Sequence, residues 1–196
     1  MGSDSVLTTP WYALRVRTRC EQVVVGGLRQ REIVNFLPLY RTRRQWSDRI
    51  KTTYVPLFPG YVFARLNDQD LRRVVRVIDC MYVVGRGNVP EPLAESEIEA
   101  VKRLVAEGAG VGPWPFCTLG QTVEVVRGAL AGLRGIYLRA AGHDRLVVSL
   151  PLLQRSVATE VESCDVRPVA GTPRPAGVTW TPSGEVRAMA AGAGEY

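Results

Sequence analysis

The chain has 196 residues, 46% of them apolar, enough to bury a core without disulfide or metal support, so one large or two small domains are expected. No apolar run nears the roughly 20 residues of a membrane helix, and the opening MGSDSVLTTP has neither the basic nor the apolar region of a secretory signal, so a cytoplasmic protein with no membrane partner is expected. The formal net charge is +6 and its cations are nearly all arginine, whose planar fork suits phosphates and base edges; only Lys51 and Lys102 are lysine. Cys20, Cys80, Cys117 and Cys164 lack the close spacing of a zinc or redox motif, and His143 is the one histidine. Buried free thiols, no metal and no cofactor are expected.

In chain order, WYALRVR (11–17) alternates as a strand does, sending Tyr12, Leu14 and Val16 to one face and Trp11, Ala13, Arg15 and Arg17 to the other. CEQVVVGGLRQRE (20–32) has helical spacing in Val23, Val24 and Leu28, weakened at Gly26 and Gly27 by about 1 kcal/mol each relative to alanine. Residues 35–46 and 50–66 read as extended segments broken by Pro38, Pro56 and Pro59-Gly60. Inside the second, VPLFPGYVFARL (55–66) puts Tyr61, Phe63 and Arg65 on one strand face and Val62 and Ala64 on the other. Helices covering one side of such a sheet would leave Tyr61 and Phe63 partly exposed on the other.

The arginines gather in RVRTRC (15–20) and RTRRQWSDR (41–49), with Tyr40 and Trp46 close by. Cations interleaved with aromatics make Arg15, Arg17, Arg19, Arg41, Arg43 and Arg44 candidates for nucleic-acid contact, against the alternative of a solvated charged face. DLRRVVRVID (70–79) spaces Leu71, Val74, Val75 and Ile78 as one side of a helix whose outer side carries Arg72, Arg73 and Arg76. MYVVG (81–85) reads as a short strand. SEIEAVKRLVAEG (96–108) is a helix with Ser96 and Glu99 as a capping box, Ile98, Val101 and Val105 on one face, and Gly108 to end it.

This order of elements predicts an α+β domain over residues 8–108, an antiparallel sheet flanked by helices. GAGVGPWPFC then breaks the pattern, giving a linker at 109–117. QTVEVVRG, RGIYLRA, RLVVSL and SVATEVE alternate between turns, predicting a small β-barrel domain over 118–169. Large apolar Leu152 and Leu153 follow Pro151 in a turn, where they either meet a partner or close the end of the barrel. Residues 170–196 are rich in Gly, Pro and Ala without periodicity, which predicts a disordered tail.

WYALRVR, LFPGYVFARL and EPLAESEIEAVKRL in the first domain, with LGQTVEVVRGALAGLRGIYL in the second, resemble NusG-type transcription factors over residues 11–169. The second domain carries the KOW pattern, from Gly120 to Gly128 and from Gly132 to Gly135. Within the family, FLPLYRTRRQWSDRIKTTYVPLFPGYVFARL and LPLLQRSVATEV resemble the operon-specialised paralogues of the UpxY, LoaP and RfaH types. The resemblance implies a first domain on the clamp helices of RNA polymerase, through Leu14, Tyr61, Phe63 and Arg65. It also implies contact with exposed non-template DNA or nascent RNA, and a KOW loop of Leu152, Leu153, Gln154 and Arg155 that meets Rho or a small-subunit ribosomal protein. Family members usually place an aromatic and a glycine where this chain has Leu153 and Gln154.

The resemblance implies a monomeric, non-enzymatic factor that holds the polymerase clamp and suppresses pausing and termination at specific operons. No phosphate-binding loop, catalytic dyad or cofactor fingerprint is visible. The alternatives are the general NusG elongation and Rho-linked termination factor, and a ribosome-associated KOW protein that binds RNA.

Overall fold

The computed structural model describes residues 9–46, 49–77, 80–108, 110–117, 120–140, 143–169, 178–180 and 186–188. Its first half runs β1 (Trp11–Val16), α1 (Glu21–Arg29), β2 (Asn35–Phe36), β3 (Leu39–Trp46), β4 (Arg49–Pro56), β5 (Tyr61–Arg65), α2 (Asp68–Val77), β6 (Cys80–Val83), β7 (Gly85–Arg86), β8 (Val89–Pro90) and α3 (Glu95–Glu107). A four-stranded antiparallel sheet has the order β2-β5-β1-β6. Strands β3 and β4 form a separate ribbon, paired from Leu39 opposite Pro56 to Trp46 opposite Arg49.

Alternation along β1 and β5 decides what each face of the sheet buries. Tyr12, Leu14, Val16, Val62 and Ala64 share one face and pack on Val24, Val25 and Leu28 of α1 and Val74 of α2. Helix α1 forms despite Gly26 and Gly27 because this packing outweighs propensity. Its buried side is Val24, Val25 and Leu28, while Val23, expected among them, is exposed. Helix α2 starts where Asn67 Oδ1 accepts from the amides of Gln69 and Asp70, both at 2.9 Å. Arg72 and Arg73 are exposed on it, as the spacing predicts.

The opposite face carries Trp11, Ala13 and Phe63, which join one core with Ile98, Val101 and Leu104 of α3. The sheet therefore has helices on both sides. Helix α3 begins two residues earlier than its predicted capping box: Ala94 is the extended cap residue, and Glu97 Oε2 accepts from the Ala94 amide at 3.1 Å. Glu97 thus makes one half of a capping box, which Ser96 and Glu99 do not, and Ala94 has no side-chain oxygen to make the other half. Gly108 ends the helix at φ 69°, as expected.

The second half continues with β9 (Gly112–Trp114), β10 (Gln121–Val125), β11 (Arg134–Ala140), β12 (His143–Leu150), β13 (Arg155–Glu160) and β14 (Val166–Pro168). These make one six-stranded antiparallel sheet in the order β14-β10-β11-β12-β13-β9. Strands β14 and β9 stand at its two edges, and no pairing between them closes a barrel among the described residues. Val123, Val125, Tyr137, Leu146, Val148 and Val157 fill its buried face.

Residues 109–117, read from glycine and proline as a linker, contribute β9, whose Gly112–Trp114 pairs with Ser156–Ala158 of β13. Pro113 fits there because an edge strand needs to offer amides on one side only. The following peptide is pinned by a pair of hydroxyls. Ser149 Oγ donates to Cys117 O at 2.6 Å, and Ser156 Oγ accepts from the Cys117 amide at 3.1 Å.

The core containing Trp11, Phe63 and α3 is continuous with that of the second sheet. Arg103 of α3 donates to Ala129 O at 3.1 Å and Ala131 O at 2.6 Å, gripping the turn between β10 and β11. Within 170–196, expected to be disordered, β15 (Val178–Trp180) pairs with β16 (Val186–Ala188); the rest lies outside the described residues. Among the described residues, no helix is long and apolar enough to cross a membrane.

Candidate interaction site on the first sheet

The site grows from the Pro59-Gly60 turn that launches β5. Gly60 has φ +80°, and a Cβ there would sit 2.6 Å from Arg15 Nη1 and 3.3 Å from Val16 O, so only glycine fits. Its carbonyl accepts from the Val16 amide at 2.9 Å and its amide donates to Glu21 Oε1 at 2.7 Å. Glu21, in the first turn of α1, is 3% exposed, and among the described residues it is the one buried carboxylate. A polar side chain this deep is kept where hydrogen bonds satisfy it, as the Gly60 amide does here. Sequence reasoning missed Glu21, because its partner lies 39 positions away.

The turn aims β5 so that Tyr61 lies opposite Arg15 of β1, and Arg15 lies opposite Tyr82 of β6. These three residues cross the sheet as one row. The Arg15 guanidinium sits over the Tyr61 ring at 4.8 Å from its centroid and donates long bonds to Pro59 O and Gly60 O at 3.4 and 3.5 Å. Tyr61 is half-buried, whereas Tyr82 and its neighbour Met81 are 51% and 56% exposed. Met81 falls at the register shift between Arg15 and Val16, which turns an apolar side chain outward from an edge strand.

The structure sorts the sequence-predicted residues differently from the sequence. Phe63 was expected to be partly exposed but is 0% exposed, against Phe58 edge-on at 5.7 Å and Phe36 at 6.2 Å. It is core because Phe36 and Phe58 enclose its ring within the cluster that α3 also joins. Leu14, expected beside Tyr61 in one site, is also fully buried, and its opposite partner Val62 places it on the far face of the sheet. Arg65 is engaged internally: it lies over Trp11 at 4.9 Å, donates to Thr9 O at 2.7 Å, and pairs with Glu95 at 2.6 Å.

Of the basic candidates, Arg17 and Arg19 are exposed after β1, with Arg19 at φ 75° in the turn into α1. Arg41 is exposed on the ribbon, opposite a Tyr54 that is 65% exposed. Arg43 and Arg44 stand opposite Thr52 and Lys51 in the same ribbon, and their side chains lie outside the described residues. Among those with described side chains, Arg15 joins the aromatic row. Two sites predicted separately, one aromatic and one basic, therefore meet in one place.

The turn after β12 separates the two readings offered for its leucines. Leu153 is 5% exposed and belongs to the core, so it closes the end of the second sheet. Leu152 is half-buried, Gln154 is exposed at φ 50° with its amide on Pro151 O at 2.8 Å, and Arg155 is exposed. All four cysteines are free, but only Cys80 is buried, with its thiol pushed up to about 11 by burial and set against the Tyr82 carbonyl. Cys164 is exposed and its ligating atom lies within 4.8 Å of those of Glu162 and Asp165.

Residues 9–102 match the family described as "Transcription termination factor nusG". The chain is 26% identical over 167 residues to the transcription termination/antitermination protein NusG of Lactococcus lactis, covering 78% of this chain and 89% of that protein. A solved structure titled "Domain interaction in Thermotoga maritima NusG" is 19% identical at a TM-score of 0.49, covering 81% of this chain and 96% of that one.

Proposed function

We propose that this chain, NusG-like across residues 9–102, is a non-enzymatic transcription elongation and antitermination factor that seats its first domain on the clamp helices of RNA polymerase. One observation carries the reading: the matched segment is the segment that builds the Tyr61–Arg15–Tyr82 row on an otherwise packed sheet. Tyr61 and Tyr82 supply contact surface, Phe63 supports Tyr61 from within the core, and Arg65 fixes the adjoining end of β5. Bridging the clamp keeps it closed, which suppresses pausing and termination.

The ribbon of β3 and β4, with Arg41, Arg43 and Arg44, and the exposed Arg17 and Arg19 form the nucleic-acid surface in this reading. Each phosphate contact contributes roughly 0.9 to the slope of log K against log salt on duplex, and less on single strands. The KOW-type second domain meets a ribosomal protein or Rho through Leu152, Gln154 and Arg155, with Leu153 as their buried support. The arginine-rich ribbon sequence and LPLLQRSVATEV favour an operon-specialised factor. The Lactococcus relative's name favours a general one.

Purification with tagged chain from cells, followed by mapping of polymerase occupancy with and without the protein, tests the reading. Polymerase in the eluate and an occupancy change confined to one or two operons are expected. Change across all genes supports the general factor, and ribosomal subunits without polymerase refute the proposal.

A further inference from the structure

We infer that the Tyr61–Arg15–Tyr82 row receives a carboxylate from an apolar, acidic element of the polymerase, so that Arg15 is a specificity-determining contact to protein and not to nucleic acid. The inference rests on the polymerase-binding reading above and names the chemistry of the partner at that site.

The first observation is an imbalance of charge. Arg65, Arg86, Arg134, Arg139 and Arg145 each have an acidic partner within 4 Å: Glu95, Glu91, Glu124, Asp144 and Glu160. Arg15, like most of the other described arginines, has none among the described residues, but unlike them it is stacked on an aromatic ring of the first sheet. The carboxylate nearest in the hydrogen-bond scheme, Glu21, is buried and serves the Gly60 amide, making no ion pair with Arg15. Arg15 uses only Nη1, in two bonds of 3.4 and 3.5 Å to backbone carbonyls, which leaves most of a five-donor fork without a partner among the described residues.

The second observation selects a protein carboxylate over a phosphate. One flat face of the guanidinium is occupied by Tyr61, and the flanking groups are the half-exposed Tyr82 and Met81. A planar fork with free edges takes a carboxylate in two parallel bonds, and the apolar flanks gain from a partner that brings apolar surface with its charge.

The seat is also built to hold. Gly60 lacks the Cβ that would displace Arg15, and Glu21 fixes the Gly60 amide, so the cation is placed before any partner arrives. An Arg stacked on an aromatic and surrounded by exposed apolar groups is the composition of an interface hot spot.

The test is equilibrium binding of the full chain to purified core RNA polymerase, first free of nucleic acid and then in an assembled elongation complex. Arg15→Ala should weaken binding to the nucleic-acid-free enzyme about tenfold, and Arg15→Glu about a hundredfold or more. Tyr82→Ala should weaken it several-fold, with melting temperatures unchanged. A charge-reversing lysine at one acidic residue of the polymerase surface should restore Arg15→Glu. If Arg15→Glu and Tyr82→Ala bind core polymerase as the unaltered chain does, or weaken only when nucleic acid is present, the inference is overturned while the functional reading stands. If the unaltered chain fails to bind core polymerase, the functional reading falls and takes the inference with it.

Discussion

One face of the first sheet is finished in two ways. At its Trp11 end an arginine lies over an aromatic ring, Arg65 on Trp11, with Lys102 4.9 Å from the same ring. Glu95 closes that arrangement by accepting from Trp11 Nε1 at 3.2 Å and pairing with Arg65, and the neighbouring Phe63 is enclosed by Phe36 and Phe58. At its Tyr61 end the same motif recurs, Arg15 on Tyr61, but with no acid to complete it among the described residues and with Tyr82 and Met81 outside. The two ends differ in whether their counter-charge comes from this chain. A surface whose cation is stacked but unpaired is prepared for contact; a surface whose cation is paired is finished.

The comparison breaks most readily at Phe63. Phe63→Ala should cost about 3–5 kcal/mol of stability, since it empties a closed aromatic cluster. Tyr61→Ala, at the open end, should cost far less while weakening polymerase binding. Urea unfolding of both variants measures this, and equal losses would show that the open end is core as well. Next in size, Leu153→Ser should destabilise the second domain by several kcal/mol, because it buries a hydroxyl and leaves a void. Loss of partner binding with an unchanged melting temperature would contradict its place in the core.

Glu21→Ala leaves the buried Gly60 amide without its acceptor and should cost about 1–3 kcal/mol, with Glu21→Gln recovering most of it. The Gly60 amide proton should exchange faster in the alanine variant, which hydrogen exchange read by NMR would show. Glu95→Gln removes a partly exposed ion pair and should cost at most about 1 kcal/mol. A larger loss would mean that the covered end depends on charge more than on the packing of α3.

The smallest effect concerns alkaline pH. Burial raises the Cys80 thiol from 9.0 to about 11, so the unfolded chain loses this proton first as pH rises. The stabilising contribution is fully present below pH 9 and is lost between 9 and about 11. Unfolding midpoints of the unaltered chain should fall more steeply across that window than those of Cys80→Ala.

What the sequence made legible was everything set by short-range period. The faces of β1 and β5, the outer arginines of α2 and the end of α3 at Gly108 follow from alternation, helical spacing and a glycine's freedom. Coverage was not legible. Nothing local in Phe63 or Leu14 says that a helix 30 or more residues away lies on one face, or that α1 and α2 lie on the other. Gly-Pro-Trp at 112–114 reads as a breaker because its strand pairing is supplied by β13, far along the chain. The row at Arg15 was half legible: Tyr61 and Arg15 were named and Tyr82 was not, and their alignment depends on a register that only the folded sheet fixes.

Arg103 holds the turn between β10 and β11 through the carbonyl oxygens of Ala129 and Ala131, not through any side chain. Every residue type carries that carbonyl, so the contact is blind to spelling on one side. Substitutions at 129 and 131 can accumulate without breaking it, provided that Gly128 and Gly132 keep their φ of +77° and +82°. The junction between the two sheets can thus stay in place while the turn it grips drifts, leaving the solvent side of the turn free to acquire new contacts at little cost to the fold.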